Sequence, residues 1–244
     1  MITVGVDFAA AVEKTATCVI AWTEERAEVV DVAVGVDDAG LIASVTAGDH
    51  AAVDVPFGWP DSFTQFVAAH RARSLAPPNV TDVLWRRSMT YRATELELMQ
   101  RFGLRPLSVA ADRIASAALR WAVLAARLEA SGVEVSRDGS GRIVECYPAA
   151  SLLAWDLAHR GYKGKSLAPV RLRTVEQMRT ALPFLSLGRH QHAILESDDL
   201  FDAFIAALTA RAAGLGQVRL PSEPERVASE GWIVVPSAPL GRLR

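Results

Sequence analysis

Five carboxylates stand at positions from which they could share one site. Asp7 ends the first β-rich segment, Asp54 lies in the fourth, and Glu145 lies in a later one. Asp199 and Asp202 lie near the start of a late helical segment, three residues apart and therefore on one face of it. If these strands are neighbours, their carboxyl ends converge at the sheet edge where open α/β sheets bind ligands.

Carboxylates packed together repel one another, and divalent cations relieve that repulsion. Mg²⁺ prefers hard oxygen ligands, and Mn²⁺ accepts the same ligands. Two such ions about 3.5–4 Å apart can activate a water and stabilise the leaving oxygen in phosphodiester cleavage. We therefore predict that all five acids are catalytic and that Asp7, Asp54, Glu145 and Asp202 bind the metal. Any single acid is more simply a turn residue or a helix cap, so the prediction depends on the combination.

An excess of arginine marks the middle of the chain. Residues 71–120 contain nine arginines and four acids, whereas the whole chain has a net charge of −2. Guanidinium groups pair with phosphates through two parallel hydrogen bonds, which predicts a surface for nucleic acid, either DNA or RNA. The alternative is an ordinary solvated helical face. From this region we select Arg86, Arg92 and Arg113 as candidate substrate-binding residues.

Short β-branched runs predict the strands that carry the acids. Three such runs with polar connections are typical of an antiparallel meander, and further strands follow later in the chain. The turn Asp138-Gly-Ser-Gly141 predicts a hairpin between the fifth and sixth of these runs. The predicted strands are residues 2–7, 15–22, 27–34, 51–55, 133–135, 142–146 and 231–235.

Helices are predicted mainly between and after the later strands. The clearest is 108–130, in which apolar residues recur at spacings of three and four, with Ser108 as its cap. Residues 74–90 contain Pro77-Pro78 and are predicted to be irregular. The other predicted helices are 37–47, 61–70, 92–102, 148–159, 170–182 and 198–213. This order of elements favours a mixed α/β sheet with helices packed on it.

Composition limits the class of protein. The chain has 244 residues, of which 50% are hydrophobic and 22% charged, as in globular proteins with one core. It has no apolar run of about 18 residues and no secretory signal pattern, so we expect no membrane association. Two distant cysteines, Cys18 and Cys146, favour a cytoplasmic location. Oligomeric state is left open.

Seven short motifs spread along the chain bring a known family into view. They are Val4-Gly-Val-Asp-Phe-Ala9, Val53-Asp-Val-Pro-Phe-Gly58, Tyr91-Arg-Ala-Thr94, Pro106-Leu-Ser-Val109 with Asp112-Arg-Ile114, Val144-Glu-Cys-Tyr-Pro-Ala149, Asp198-Asp-Leu-Phe-Asp-Ala-Phe204 and Gly231-Trp-Ile-Val-Val-Pro236. In this order they resemble the family called domain of unknown function 429 (DUF429), described as predicted nucleases of the ribonuclease H-like fold. Glu95 departs from the pattern, because an aspartate is expected after Arg-x-Thr.

The resemblance implies a single ribonuclease H-like domain over residues 1–244, with a helical insertion at about 61–130. The implied sheet has five strands, the first three antiparallel, and helices flank it. Acids are implied on the first strand, the fourth strand and the last helix, which Asp7, Asp54, Asp199 and Asp202 match. The segment Asp199-Leu-Phe-Asp202-Ala203 is similar to the Asp-x-x-Asp-Ala of Holliday-junction resolvases.

Three functions stay open at this point. The first is a metal-dependent nuclease that uses Mg²⁺ or Mn²⁺ in a two-metal mechanism. The second is a nucleotide-binding phosphotransferase of the sugar-kinase and actin type, against which the absence of glycine in Phe8-Ala-Ala-Ala11 counts. The third is a non-catalytic ribonuclease H-like binding protein, since fold does not imply function.

Overall fold

Seven strands form one mixed sheet in the order β6-β3-β2-β1-β4-β5-β7. A computed structural model describes residues 1–244. The strands are β1 (Ile2–Asp7), β2 (Ala16–Trp22), β3 (Ala27–Val34), β4 (His50–Asp54), β5 (Ile143–Cys146), β6 (Leu185–Ser186) and β7 (Ile233–Val234). The helices are α1 (Asp38–Ala47), α2 (Asp61–Arg71), α3 (Val83–Thr90), α4 (Ala93–Phe102), α5 (Ala115–Ala130), α6 (Pro148–Ala154), α7 (Ala168–Ala181), α8 (Gln191–Glu196), α9 (Asp198–Gly214) and α10 (Pro224–Glu230). None of these helices is long and apolar enough to cross a membrane.

Strand β2 runs antiparallel to its neighbours β1 and β3, and every other neighbouring pair is parallel. The prediction of an α/β fold with a mixed sheet is confirmed. The sheet has seven strands rather than five, because β6 and β7 extend its two edges. β7 lies within the predicted strand 231–235, whereas β6 is only two residues long, which is too short for a period-two pattern to predict.

The two faces of the sheet are covered differently. Alternate residues of a strand point to opposite faces. On one face, Val4 and Val6 of β1 pack in a buried cluster with residues of α1 and α5. On the other face lies α9, of which 13 of 17 residues are buried. A helix that is apolar all round belongs in a core, and α9 accordingly packs between the sheet and the helices α6 and α8.

Four helices, α2 to α5, lie between β4 and β5. Residues 74–90 are not irregular throughout, because the Asp82 side chain accepts a hydrogen bond from Trp85 N at 2.8 Å and caps α3. Helix α5 begins at Ala115 and not at residue 108. The chain before it is held in a turn of its own, in which Ser108 N donates to Asp112 Oδ2 at 2.7 Å. Ser108 therefore does not cap α5.

The predicted hairpin between residues 133–135 and 142–146 is wrong. β5 pairs in parallel with β4 on one side and β7 on the other, so it has no free edge. The connecting residues instead close a local turn, in which Asp138 Oδ1 accepts from Ser136 Oγ and Ser140 N. Smaller differences are that α6 ends at Ala154 and that α8 and α10 were not predicted.

Candidate functional site

Asp7 and Asp54 lie side by side at the carboxyl ends of the central strands. β1 and β4 are parallel neighbours, and their register makes Asp7 and Asp54 partners. Partners in register project to the same face of a sheet. The chain leaves β1 towards β2 on one edge and returns to β4 on the other, so this pair marks the place where the strand order reverses. Ligands of open α/β sheets bind at such a point.

Gly5 explains how α9 brings a third carboxylate to this pair. A Cβ atom at Gly5 would lie 1.9 Å from the carbonyl oxygen of Ala203, so only glycine lets the α9 backbone lie directly on β1. Gly5 and Asp7 share one face of the strand, and Asp202 directly precedes Ala203. As a result, Asp7, Asp54 and Asp202 each offer an oxygen atom, and these atoms all lie within 4.8 Å of one another.

The electrostatics of this carboxylate cluster (Asp7, Asp54 and Asp202) are unfavourable without a counter-ion. Burial, and next the charge of Asp202, raise the pKa of Asp54 to about 7. The same two causes and the charge of Asp54 raise the pKa of Asp7 well above its ordinary value. Burial also raises the pKa of Asp202, although its hydrogen-bonding partners oppose the rise. Each shift means that the ionised form lacks the stabilisation that water gives it.

Two residues that the sequence analysis missed hold Asp202. The Lys163 ammonium lies 2.6 Å from Asp202 Oδ2, and the Tyr162 hydroxyl donates to Oδ1 at 2.8 Å. The negative charge of Asp202, with that of Asp54, raises the pKa of Lys163 against the effect of burial. Lys163 is therefore a cation at the edge of the carboxylate cluster, with a side chain that stays 61% exposed.

The loop that carries these two residues is fixed by a buried arginine. The Arg171 guanidinium donates to the carbonyl oxygens of Tyr162 and Gly164 and is itself fully buried. Gly164 N donates to Asp198 at 2.9 Å, which joins the loop to the start of α9. No spacing rule connects a loop lysine with an aspartate 39 residues later, so this part of the site had no signal in the sequence.

Glu145, predicted as a metal ligand, borders the cleft above the carboxylate cluster but is not a member of the cluster. Its register partner is Val53, whereas Asp54 is the next residue, so the two acids project to opposite faces of the sheet. The Glu145 carboxylate accepts hydrogen bonds from Phe57 N and from the guanidinium of Arg92. These bonds leave it in a structural role at the end of β5.

Arg92, predicted to bind substrate, borders the cleft but is buried and paired within the protein. Its relative exposure is 0%, and all five of its N–H groups find acceptors within the protein. These acceptors are the carboxylates of Glu95 and Glu145 and the carbonyl oxygen of Glu230. Glu95, the departure from the family pattern, is thus the partner that neutralises Arg92 at the start of α4. A buried arginine shared by two carboxylates joins the helical insertion to the sheet.

The remaining predicted residues lie around the cluster. Asp199 is half-buried in the first turn of α9, and its negative charge contributes to the raised pKa of Asp7. It offers no oxygen to the three-residue cluster. Arg113 is exposed and lines the cleft above the cluster. Arg86 lines a neighbouring groove and not this cleft.

A cleft of ≈ 330 Å³ opens above Asp7 and Asp54. Residues from the insertion form one wall, among them the exposed Arg105 and Arg113, and Lys163 and Tyr147 form part of the other. Asp202 lies beneath this cleft with 1% of its side chain exposed. The arrangement therefore presents carboxylates at the floor of a cleft and guanidinium groups along its wall.

The carboxylate cluster fits a divalent cation. Asp7 and Asp54 receive no hydrogen bond and no ion pair from the protein, although both are half-buried in the floor of the cleft. Carboxylates in that state need a cation, and Lys163 supplies only one charge for three. An all-oxygen donor set is the kind that Mg²⁺ and Mn²⁺ prefer.

Fold and site together define an α/β protein whose mixed sheet carries a carboxylate cluster, with one lysine beside it, at the ends of its central parallel strands. The family model described as protein of unknown function (DUF429) matches residues 5–226. The chain belongs to this family. Searches of curated proteins and of solved structures found no match.

Proposed function

We propose that this protein is a metal-dependent nuclease with a ribonuclease H-like fold, and that Mg²⁺ or Mn²⁺ is its cofactor. The observation that carries the proposal is the carboxylate cluster, in which three acids offer oxygens within 4.8 Å and two of them lack any partner in the protein. The substrate would be a phosphodiester of DNA or RNA, because the wall above the cluster offers guanidinium groups.

The arrangement of the strands supports the ribonuclease H-like part of this proposal. The central five strands follow the order β3-β2-β1-β4-β5, and the first three are antiparallel. The acids of the cluster lie on the first strand, the fourth strand and the long helix α9. These are the positions that the resemblance to ribonuclease H-like nucleases implies.

Asp7, Asp54 and Asp202 would hold the metal. Bound divalent cations lower the pKa of a coordinated water and neutralise charge on the leaving oxygen, with two ions as the proposed stoichiometry. Lys163 would keep Asp202 ionised and oriented, because its ammonium lies 2.6 Å from that carboxylate. Arg105 and Arg113 would bind the phosphate oxygens, since both are exposed in the cleft and neither is paired with an acid.

A phosphotransferase has less support from the structure. Such an enzyme needs backbone N–H groups free to bind phosphates in the turn after the first strand. Here that turn begins with Phe8, which is buried and packs against Trp121 with ring centroids 5.7 Å apart. The first residue of this turn therefore contributes its side chain to the core, and no glycine follows it in Phe8-Ala-Ala-Ala11.

Two measurements test the proposal. Isothermal titration with Mn²⁺ should show binding that Asp54→Asn abolishes and that Asp31→Asn, an exposed aspartate on β3, leaves unchanged. Fluorescent DNA and RNA oligonucleotides should be cleaved with Mg²⁺ or Mn²⁺ and remain intact with a chelator. Metal binding without cleavage of any oligonucleotide would contradict the nuclease proposal, and no metal binding would contradict the metal site as well.

A further inference from the structure

A second groove, lined by three arginines and no acid, lies next to the cleft. It has a volume of ≈ 550 Å³ and is formed by α3, by α4 and by the residues that follow α4. Its arginines are Arg86, Arg87 and Arg105, and we call it the arginine groove. Arg105 also lines the cleft above the carboxylate cluster, so the groove and the cleft meet at this residue.

The arginines of this groove are not neutralised by the protein. Arg86 donates to the carbonyl oxygen of Thr81, Arg87 contacts only the sulfur of Met99, and Arg105 has no polar partner. Some other arginines of the insertion differ, because Arg101 and Arg120 each form an ion pair with an acid. Three unpaired guanidinium groups around one groove repel one another and favour an anionic ligand.

The local fold holds these groups around the groove. Arg86 and Arg87 belong to α3, which Asp82 caps at its first turn. Helix α4 ends at Phe102, and the next residue, Gly103, turns the chain back with a φ of +64°. The buried Leu104 then fixes the following segment, so that Arg105 projects from an anchored turn.

We propose that the arginine groove binds the sugar-phosphate backbone of a single-stranded nucleic acid that extends from the cleft. This inference rests on the proposed nuclease function and adds the form of its substrate. One phosphate would lie over the carboxylate cluster, and the phosphates next to it would lie along Arg105, Arg87 and Arg86. Successive phosphates of one strand could occupy both features, because the cleft with acids at its floor and the arginine groove with only cations meet at Arg105.

The depth of the cluster favours a single strand over a duplex. Asp202 is 1% exposed, and residues of the insertion wall the cleft above Asp7 and Asp54. A phosphate must descend into this cleft to reach the acids. A single strand can bend to do so, whereas the backbone of a duplex is held on a stiff cylinder.

Salt dependence of binding tests the groove without requiring turnover. The probe is a fluorescein-labelled 12-mer of thymidylate, and its binding to the full chain is followed by anisotropy between about 50 and 200 mM NaCl without divalent metal. For single strands, log K falls with log salt by about 0.7 for each phosphate that is neutralised. The variant Arg86→Gln/Arg87→Gln should therefore lower the magnitude of the slope by about 1.4.

A matched control separates this effect from net charge. Arg173→Gln/Arg189→Gln also removes two exposed arginines, and neither residue lines the cleft or the groove. We expect wild-type slope and affinity for the control, and at least tenfold weaker binding at about 150 mM salt for the groove variant. Equal slopes for the two double variants would overturn the proposal. Thermal melts of both variants should match wild type, because all four side chains are exposed.

Two further probes define the ligand. A thymidine dinucleotide should bind wild type and the groove variant equally, since it fills only the cleft. A 12-base-pair duplex should bind more weakly than the single strand, and tighter binding of the duplex would overturn the single-strand assignment. If the protein cleaves oligonucleotides but the groove variant binds the 12-mer with the wild-type salt slope, only the proposal for the arginine groove is refuted. If the slope changes in the groove variant but no oligonucleotide is cleaved, only the nuclease proposal is refuted.

Discussion

Replacing Asp54 with asparagine should stabilise the metal-free protein while it abolishes metal binding. Asparagine keeps the shape of the side chain and removes one of three neighbouring charges. Asp54 has no hydrogen-bonding partner in the protein, so the replacement breaks no bond. A charged group that is kept at a cost in stability is expected at a functional site.

The magnitude follows from the pKa of Asp54, which burial and the charge of Asp202 raise from 3.8 to about 7. A raised carboxylate pKa means that the folded state retains a proton that the unfolded state has lost. The resulting destabilisation is absent below about pH 4, grows as the pH rises from about 4 to 7, and is complete above that range. At 1.36 kcal/mol per pKa unit, its upper bound is about 4 kcal/mol.

The gain that we expect for Asp54→Asn is smaller, at about 1–3 kcal/mol at pH 8, because the new amide must also leave water. For a chain of this length, 1 kcal/mol corresponds to about 2–4 °C in melting temperature. Calorimetric melts in chelator at pH 4 and pH 8 should therefore differ little at the lower pH and clearly at the higher one. Asp31→Asn, at an exposed strand position, should change neither melt.

Metal supplies the second half of this test. Adding Mn²⁺ at about 100 times its dissociation constant should stabilise wild type by about 2.7 kcal/mol, and this rise should vanish in Asp54→Asn. A lower melting temperature for Asp54→Asn in chelator at pH 8 would refute the reasoning. It would mean that Asp54 stabilises the fold through a bonding partner, and that repulsion within the carboxylate cluster does not destabilise the metal-free protein.

Three other substitutions probe the lysine, the buried arginine and the close approach of α9. Lys163→Met should lower metal-free stability and raise Mn²⁺ affinity several-fold by titration calorimetry, because Asp202 loses its internal cation. Arg92→Met should cost about 3–5 kcal/mol in urea unfolding, since it leaves buried carboxylates unpaired. Gly5→Ala should cost about 3 kcal/mol or more and weaken metal binding, because its Cβ, 1.9 Å from the Ala203 carbonyl oxygen, must displace α9.

Each of these substitutions has a matched control. Lys165→Met removes an exposed lysine two residues further along and should leave Mn²⁺ affinity unchanged. Arg101→Met breaks an ion pair whose arginine is 49% exposed and should cost less than about 1 kcal/mol. Gly40→Ala adds a Cβ that only side-chain atoms approach, at 3.1 Å, and should be tolerated within α1. Equal effects in any pair would remove the role assigned to its first member.

Patterns within a single element predicted much of the fold. β-branched runs identified β1 to β5 and β7, and the predicted helix 198–213 matches α9 to within one residue. Predictions of secondary structure failed where pairing with a segment distant in sequence decides whether a strand forms. Residues 133–135 have the composition of a strand, but the edge of β5 that they would need is taken by β7. No local signal distinguishes a strand-like run that finds an edge from one that does not.

The carboxylate cluster itself shows which part of a site can be predicted from sequence. Asp7 and Asp54 end parallel neighbours in register, and Gly5 lets α9 approach closely enough to add Asp202. Acids at the carboxyl ends of neighbouring strands can be predicted to lie close together, even when the directions of their side chains are not known. Their positions in the sequence do not predict which face of the sheet an acid occupies, and one residue of register decides this for a whole strand.

Glu145 and Arg92 show how register separates residues of the site from residues of its frame. Both stand in motifs that the family resemblance supplies, and both were assigned to chemistry with metal or substrate. Because Glu145 is in register with Val53 and not with Asp54, it projects away from the cluster and meets Arg92. A residue in a family motif can therefore belong to the frame that holds a site as well as to the site. Only the register of β4 with β5, which sequence spacing does not determine, separates these two roles.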